Sequence, residues 1–230
     1  MSGPSTAMIL AAGRGERMMP LTDHTPKPLL QVRGRPLISY HLDKLAALGY
    51  DRVVINHAWL GEKIEKTLGD GSQFGLQIVY SAEKLVLETA GGIAKALPLL
   101  GNKPFLVVNG DVWSDFDFGL LNALPTGYLA QLVMVENPEH HPAGDFVLSK
   151  GDIRMPTAAP TNPQPDVETY TFSGMALYDP AFFANVAVEK QALAPILKQH
   201  IANGRVSGIL HSGQWCDVGT PQRLAALNQE

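Results

Sequence analysis

Ala7-Met8-Ile9-Leu10-Ala11-Ala12 runs directly into Gly13-Arg14-Gly15-Glu16-Arg17, and Pro26-Lys27-Pro28 follows shortly after. An apolar run of this length reads as a buried strand, and it delivers the backbone to a glycine-rich turn. Glycines let successive N–H groups approach an anion closely, and such a turn forms an anion-binding concavity. Arg17 and Lys27 add two full positive charges, which points to a polyphosphate. Two common phosphate loops are excluded. The dinucleotide fingerprint G-x-G-x-x-G fails because Met18 stands at its third glycine. The Walker loop fails because no Gly-Lys-Ser/Thr follows. The plainer alternative is a strand that turns at two glycines beside solvated charges.

Further along, apolar runs alternate with helical patterns. Pro36 opens an expected helix as its first residue, with Leu37, Ile38, Leu42, Leu45 and Leu48 on one face and Gly49 as its stop. Residues 52–57, 76–80 and 105–109 read as strands, with helices over 60–68 and from a Thr89 cap through Leu97 between them. Strands alternating with helices predict an α/β fold with a parallel sheet flanked by helices. In the second half, residues 128–136, 145–149 and 171–178 read as strands of a mixed or antiparallel extension. Helices are expected over 192–203 and 221–228, with a strand and turn over 213–219 between them. Residues 156–166 hold four prolines and no periodicity and read as a loop.

The 230 residues fit one large domain, with residues 1–6 as an unstructured lead-in and 7–230 as the domain. Within it a first half is expected over about 7–125 and a second over about 126–230. A net charge of −4 without a basic run argues against a nucleic-acid partner. One cysteine, Cys216, excludes a disulfide framework and fits a reducing, cytoplasmic setting. No apolar stretch is long enough to span a membrane. Cys216 alternates with Asp217 along a strand, so it is expected to point to the opposite face, toward the core.

A second candidate site is Asn109-Gly110-Asp111 at a strand's end. A carboxylate beside phosphates invites Mg²⁺, which takes oxygen ligands and keeps waters. The alternative is an aspartate that caps the following turn. Trp215-Cys216-Asp217-Val218-Gly219-Thr220 is the third candidate, with Thr220 also suited to cap a helix that has Pro221 first. Glu83–Gly92 offers small residues at a helix start. His140 and His141 diverge on an extended segment and read as exposed loop or rim residues rather than a metal pair. Trp59 and Trp113 read as core or rim aromatics.

Leu10-Ala11-Ala12-Gly13-Arg14-Gly15-Glu16-Arg17-Met18, Pro20-Leu21-Thr22 and Thr25-Pro26-Lys27-Pro28-Leu29 together resemble the signature of the sugar-1-phosphate nucleotidyltransferases. The resemblance extends through Asp111 and the W-x-D-V-G-T segment, from about Met8 to Thr220. It implies a single Rossmann-like domain and a Mg²⁺-dependent transfer of UMP from UTP to a sugar 1-phosphate, with release of pyrophosphate.

The same resemblance assigns roles. Arg17, Lys27 and Asp111 carry the transfer, Arg17 on the pyrophosphate and Lys27 at the α-phosphate. Arg14 is left between a phosphate contact and a solvated loop arginine. Asp111 and Asp217 share the metal. Leu10, Ala11, Ala12, Gly13, Gly15, Glu88, Ala90 and Gly91 meet the nucleotide. Asn109, Gly110, Gly144, Asp145, Glu168, Ser173 and Gly174 meet the sugar.

The pattern Asn56-His57-Ala58-Trp59-Leu60, Gly69-Asp70-Gly71-Ser72 and Asn109-Gly110-Asp111-Val112-Trp113 is most similar to members acting on N-acetylmuramate α-1-phosphate in peptidoglycan recycling. The alternatives are a glucose- or mannose-1-phosphate enzyme using dTTP, UTP or GTP, and a non-catalytic regulatory subunit on the same fold. The implied partners are small molecules, and the implied assembly is a monomer or homodimer. The longer relatives carry a Glu-Lys-Pro whose lysine meets the sugar phosphate. This sequence has none, which leaves that charge to the metal or to a cation such as Lys150 or Arg154. The length is read as leaving no room for an added acyltransferase domain.

Overall fold

The computed structural model describes residues 3–156 and 168–229. Its strands are β1 (Thr6–Leu10), β2 (Gln31–Val32), β3 (Arg35–Pro36), β4 (Arg52–His57), β5 (Gln77–Ala82), β6 (Phe105–Asn109), β7 (Val112–Ser114), β8 (Ala130–Val135), β9 (Phe146–Ser149), β10 (Asp152–Arg154), β11 (Thr169–Tyr178), β12 (Val206–His211) and β13 (Trp215–Asp217). The helices are α1 (Leu37–Ala47), α2 (Gly61–Leu68), α3 (Glu88–Leu100), α4 (Leu193–Ala202) and α5 (Pro221–Leu227).

The main sheet has the order β5-β4-β1-β6-β11-β8-β12-β10-β9. β5, β4, β1 and β6 are parallel, and β11 then enters antiparallel between β6 and β8. Ala7, Met8 and Ile9 are fully buried, because β1 is covered on both faces. Ile9 packs with Ile38 and Leu42 of α1, while Met8 packs with Ile93 of α3. Each such aliphatic side chain contributes roughly 1.5–3 kcal/mol by leaving water.

Several expectations are corrected at element ends. Pro36 is the N-cap of α1 and not its first residue, because it pairs with Gln31 in the β2–β3 ribbon and keeps an extended ψ of 133°. Thr89 lies inside the first turn of α3 and does not cap it. Instead the Glu83 carboxylate accepts from Leu87 N at 2.9 Å. The lead-in is ordered at its end: Ser5 O accepts from Asp51 N, and Thr6 pairs with Arg52. Met1 and Ser2 fall outside the described residues, as does the expected proline-rich loop from 157 onward.

Sequence reasoning also missed β12. Its Val-Ser-Gly-Ile-Leu-His pattern has a glycine in mid-strand. That glycine is needed, since a Cβ on Gly208 would stand 2.5 Å from Ile153 Cδ1 on the neighbouring β10. β12 runs parallel to β8.

Candidate active site

The carboxyl ends of β1 and β6 border a cavity of about 470 Å³. Leu10, Ala11, Gly13, Gly15, Arg17, Lys27, Asn109, Asp111, Thr89 and Gly219 are among its walls. This is where ligands bind in open parallel sheets. Gly15 has a φ of 69°, a left-handed conformation, and a Cβ there would lie 3.0 Å from Thr22 Cγ2. Its carbonyl accepts from Thr22 Oγ1 and Met18 N, both at 2.8 Å. Met18 is fully buried against Trp113 and Val218. The residue that broke the dinucleotide fingerprint is thus the anchor of this loop. Arg14 lies over the Trp59 ring at 4.8 Å, and Trp59 Nε1 donates to Thr22 O. Arg14 therefore lines the cavity from an aromatic seat, while Arg17 stands exposed at the rim.

Gly110 lets β6 close on β1. Its N–H donates to Leu10 O at 2.9 Å, and a Cβ would stand 2.7 Å from that oxygen. Asp111 follows at once and pairs with Lys27 Nζ, whose side chain is only 11% exposed. The short β7–β13 ribbon then sets Asp217 opposite Val112, and Val218 N donates to Asp111 O at 2.7 Å. The backbones of Asp111 and Asp217 are thus neighbours, and of the two Asp111 is a wall of the cavity. Arg223 Nη1 lies 2.5 Å from Asp217 Oδ1, and His140 Nε2 lies 3.2 Å from it.

Among the described residues, no group of three or more His, Cys, Asp or Glu is placed to hold a metal. Asp111 at the cavity with Asp217 on the adjacent strand fits the donor chemistry of Mg²⁺, which uses one or two carboxylates plus phosphate oxygens and water. Cys216 packs toward the cluster of Met18, Leu37 and Trp113, as its alternation with Asp217 predicts.

The base-side residues divide. Ala11 N donates to Asn56 Oδ1 at 2.9 Å, and Asn56 Nδ2 donates to Glu83 Oε1 at 2.7 Å, which ties β1, β4 and the start of α3 together. Ala12 is buried beside them. Ala90 and Gly91 are a correction. Both are buried, both amides donate to Gln191 O, and a Cβ on Gly91 would stand 1.9 Å from Glu189 O. Their N–H groups are spent on the segment before α4, and Thr89 reaches the cavity instead. Glu88 lines a second cavity and has Lys190 at 3.5 Å.

That second cavity, about 450 Å³, shares Thr89 and Asn109 with the first. Asp145, Phe146, Phe172, Leu193 and Leu197 complete its walls. Asp145 accepts from Phe172 N at 2.8 Å and has His141 Nε2 at 3.1 Å. Gly174, at φ 81°, sits where β11 slips register, and a Cβ there would lie 2.5 Å from Asn109 Nδ2. The glycine makes room for Asn109.

Three residues expected on the sugar side have other partners among the described residues. Ser173 is buried and accepts from Trp215 Nε1 and Met175 N, so it is a clasp. Gly144 is a turn residue packed on Asn137. Glu168 accepts from Tyr170 OH and lines neither cavity.

Ser114, His211 and Asp115 also meet, but both contacts use His211 Nε2, so no proton relay is formed. Sequence reasoning missed Arg223. A signal existed: a cation in the first turn of a helix opposes the dipole, so an anion must stand nearby.

Fold and site define a transferase of nucleotidyl groups, and the chain belongs to the nucleotidyl transferase family, whose model matches residues 6–230. Among curated proteins, it is 53% identical over 224 residues to the N-acetylmuramate alpha-1-phosphate uridylyltransferase of Neisseria meningitidis serogroup B, covering 95% of this chain and 94% of that one. The protein of that name from Caulobacter vibrioides is 35% identical, covering 97% and 96%. A mannose-1-phosphate guanylyltransferase of Mycobacterium tuberculosis is 31% identical, covering 94% of this chain and 61% of its own. In fold, the inositol-1-phosphate CTP transferase of T. maritima superposes with a TM-score of 0.76 at 19% identity, covering 100% and 98%. No helix among the described residues is long and apolar enough to cross a membrane.

Proposed function

We infer that the protein transfers UMP from UTP to N-acetylmuramate α-1-phosphate and releases pyrophosphate. The observation that carries this reading is the pairing of Lys27 with Asp111 at a cavity that shares Asn109 and Thr89 with a second, with Asp217 on the strand beside Asp111. The 53% identity to a uridylyltransferase of that name supports the choice of base and sugar. The reaction class is nucleophilic displacement at the α-phosphorus. The attacking oxygen belongs to a phosphate already ionised at neutral pH, so no protein base is required. The protein's work is positioning and charge stabilisation.

Gly13–Arg17 supplies backbone N–H groups and a guanidinium suited to bidentate contact with the leaving pyrophosphate. Lys27, held nearly out of solvent between two prolines, stands as a point charge for the α-phosphate. Asp111 and Asp217 are the residues that would hold Mg²⁺, which neutralises phosphate charge when bound. The apolar walls Phe146, Phe172, Leu193 and Leu197 leave room for an N-acetyl or lactyl group. A cytoplasmic place in cell-wall sugar recycling follows from this substrate. The presence of Lys27, Asp111 and Asp217 weighs against a non-catalytic subunit.

Pyrophosphate release over a panel of nucleotides and sugar 1-phosphates tests the reading. N-acetylmuramate α-1-phosphate with UTP is expected to give the highest kcat/KM of any pair. A clear preference for glucose or mannose 1-phosphate would reject the sugar and leave the class standing.

A further inference from the structure

Transfer to a sugar 1-phosphate brings a second phosphate group beside the first. The two cations named from sequence for that charge stand elsewhere. Lys150 is an exposed turn residue between β9 and β10, and Arg154 is exposed with Asp152 at 3.4 Å; neither lines either cavity. Arg223 lines neither of these cavities but a third, with Trp113 and Trp215, and it differs from the other two cations in touching the acidic pair. Its Nη1 lies 2.5 Å from Asp217 Oδ1 and 2.6 Å from His140 Nε2.

We propose that Arg223, with His140 beside it, seats the phosphate of the incoming sugar 1-phosphate, an inference that rests on the transferase reading. Asp217 and His140 occupy only the Nη1 corner of the guanidinium. Nη2 lies against Gly219: a Cβ on that glycine would stand 2.2 Å from it. Gly219 is itself a wall of the phosphate cavity. The bare glycine thus lets the guanidinium press up to that wall, a use of the D-V-G-T glycine beyond turning the chain.

Nε, which shares an edge of the planar fork with Nη2, is buried with no hydrogen-bond partner among the described residues. A buried donor left unpaired is costly; a phosphate oxygen that met Nη2 would reach Nε after a small shift of the side chain, and that contact would relieve the cost. The side of approach is fixed by the loop that carries His140. Its next residue, His141, reaches Asp145, and Asp145 lines the second cavity and accepts from Phe172 N. Arg223 and His140 therefore lie where the loop of the sugar-side cavity meets the acidic pair.

The test compares Arg223→Gln, Arg223→Lys and Gly219→Ala with the wild type. KM is measured for N-acetylmuramate α-1-phosphate and for glucose 1-phosphate at saturating UTP, and UTP affinity by calorimetry with Mg²⁺. Thermal melts verify folding. Arg223→Gln should raise KM for both sugar phosphates about 10- to 100-fold, the loss of a charged hydrogen bond, with UTP affinity within about 2-fold. Arg223→Lys should recover part of the loss, and Gly219→Ala should reproduce it.

Unchanged sugar-phosphate KM with weakened UTP and Mg²⁺ binding would overturn the proposal, leaving Arg223 as a prop for Asp217. A loss confined to N-acetylmuramate α-1-phosphate would also overturn it, since the guanidinium would then read the sugar's carboxylate. If the wild type transfers to no sugar, the transferase reading falls. Calorimetric binding of glucose 1-phosphate to the UTP-loaded wild type and Arg223→Gln then decides the proposal by itself: tighter binding to the wild type supports it, and equal or absent binding rejects it.

Discussion

Lys27 Nζ donates to Asp111 Oδ2, joining the Pro-Lys-Pro turn to the end of β6. The lysine side chain is 11% exposed and the aspartate 35%. The cation proposed for the phosphate and a carboxylate proposed for the metal are thus held as a pair. Replacing either carboxylate, Asp111→Asn or Asp217→Asn, should lower kcat by at least about 10²-fold, the scale of losing one major charge-stabilising group. Circular dichroism should show the fold intact, and EDTA should abolish turnover of the wild type. Near wild-type turnover of either variant at saturating Mg²⁺ would reject the shared-metal assignment.

Arg17 stands at the rim of the cavity beside β1 and β6 and is exposed. Arg17→Ala should weaken UTP binding and slow the reverse, pyrophosphate-consuming reaction, while binding of the UDP-sugar product changes little. Calorimetry with UTP and with UDP-sugar makes the comparison. Equal losses for both ligands would mean that Arg17 does not hold the pyrophosphate.

Gly91 has no space for a side chain beneath the Glu189 carbonyl. Gly91→Ala should destabilise the protein by about 1–3 kcal/mol through overpacking. That corresponds to a fall in melting temperature of roughly 2–4 °C per kcal/mol for a chain of this size. A melting curve that matches the wild type would show that the segment before α4 is free to move.

His41 is buried beside Phe118, and burial pushes its imidazole down to about 4. The unfolded chain takes up this proton near 6.5. Between these values the unfolded state binds more protons, so stability rises with pH. The contribution of neutral His41 is complete above about pH 6.5 and is lost as pH falls toward 4. For a shift of this size it reaches about 3 kcal/mol at most. Urea unfolding at pH 5 and 7.5 should show a steeper loss for the wild type than for His41→Gln, which keeps a donor for the Val112 carbonyl. Parallel pH profiles would contradict this.

The nucleotide side was legible in the sequence because its signals are local. Apolar strands buried on both faces read as continuous runs, Gly15 and Gly110 sit within a few residues of the strand ends they serve, and Lys27 stands out by the proline on either side of it. The sugar side was less legible because its contacts are made by packing between distant segments. Ser173 and Gly174 look like pocket residues in a strand, yet one is a buried clasp and the other a register slip that accommodates Asn109. Ala90 and Gly91 look like free amides at a helix start, yet Gln191 claims both. β12 was hidden by a glycine whose reason, Ile153, lies on another strand.

The β7–β13 ribbon sets a schedule for synthesis. A ribosome that has delivered residues 1–200 has made the phosphate loop, Lys27 and Asp111, but only one member of the acidic pair. The other arrives with β13, which docks on a strand completed long before. On the proposed function, divalent-ion affinity would therefore wait for β13 to dock. A half-made protein would then have the cradle proposed for a nucleotide and lack one of the carboxylates proposed to act on it.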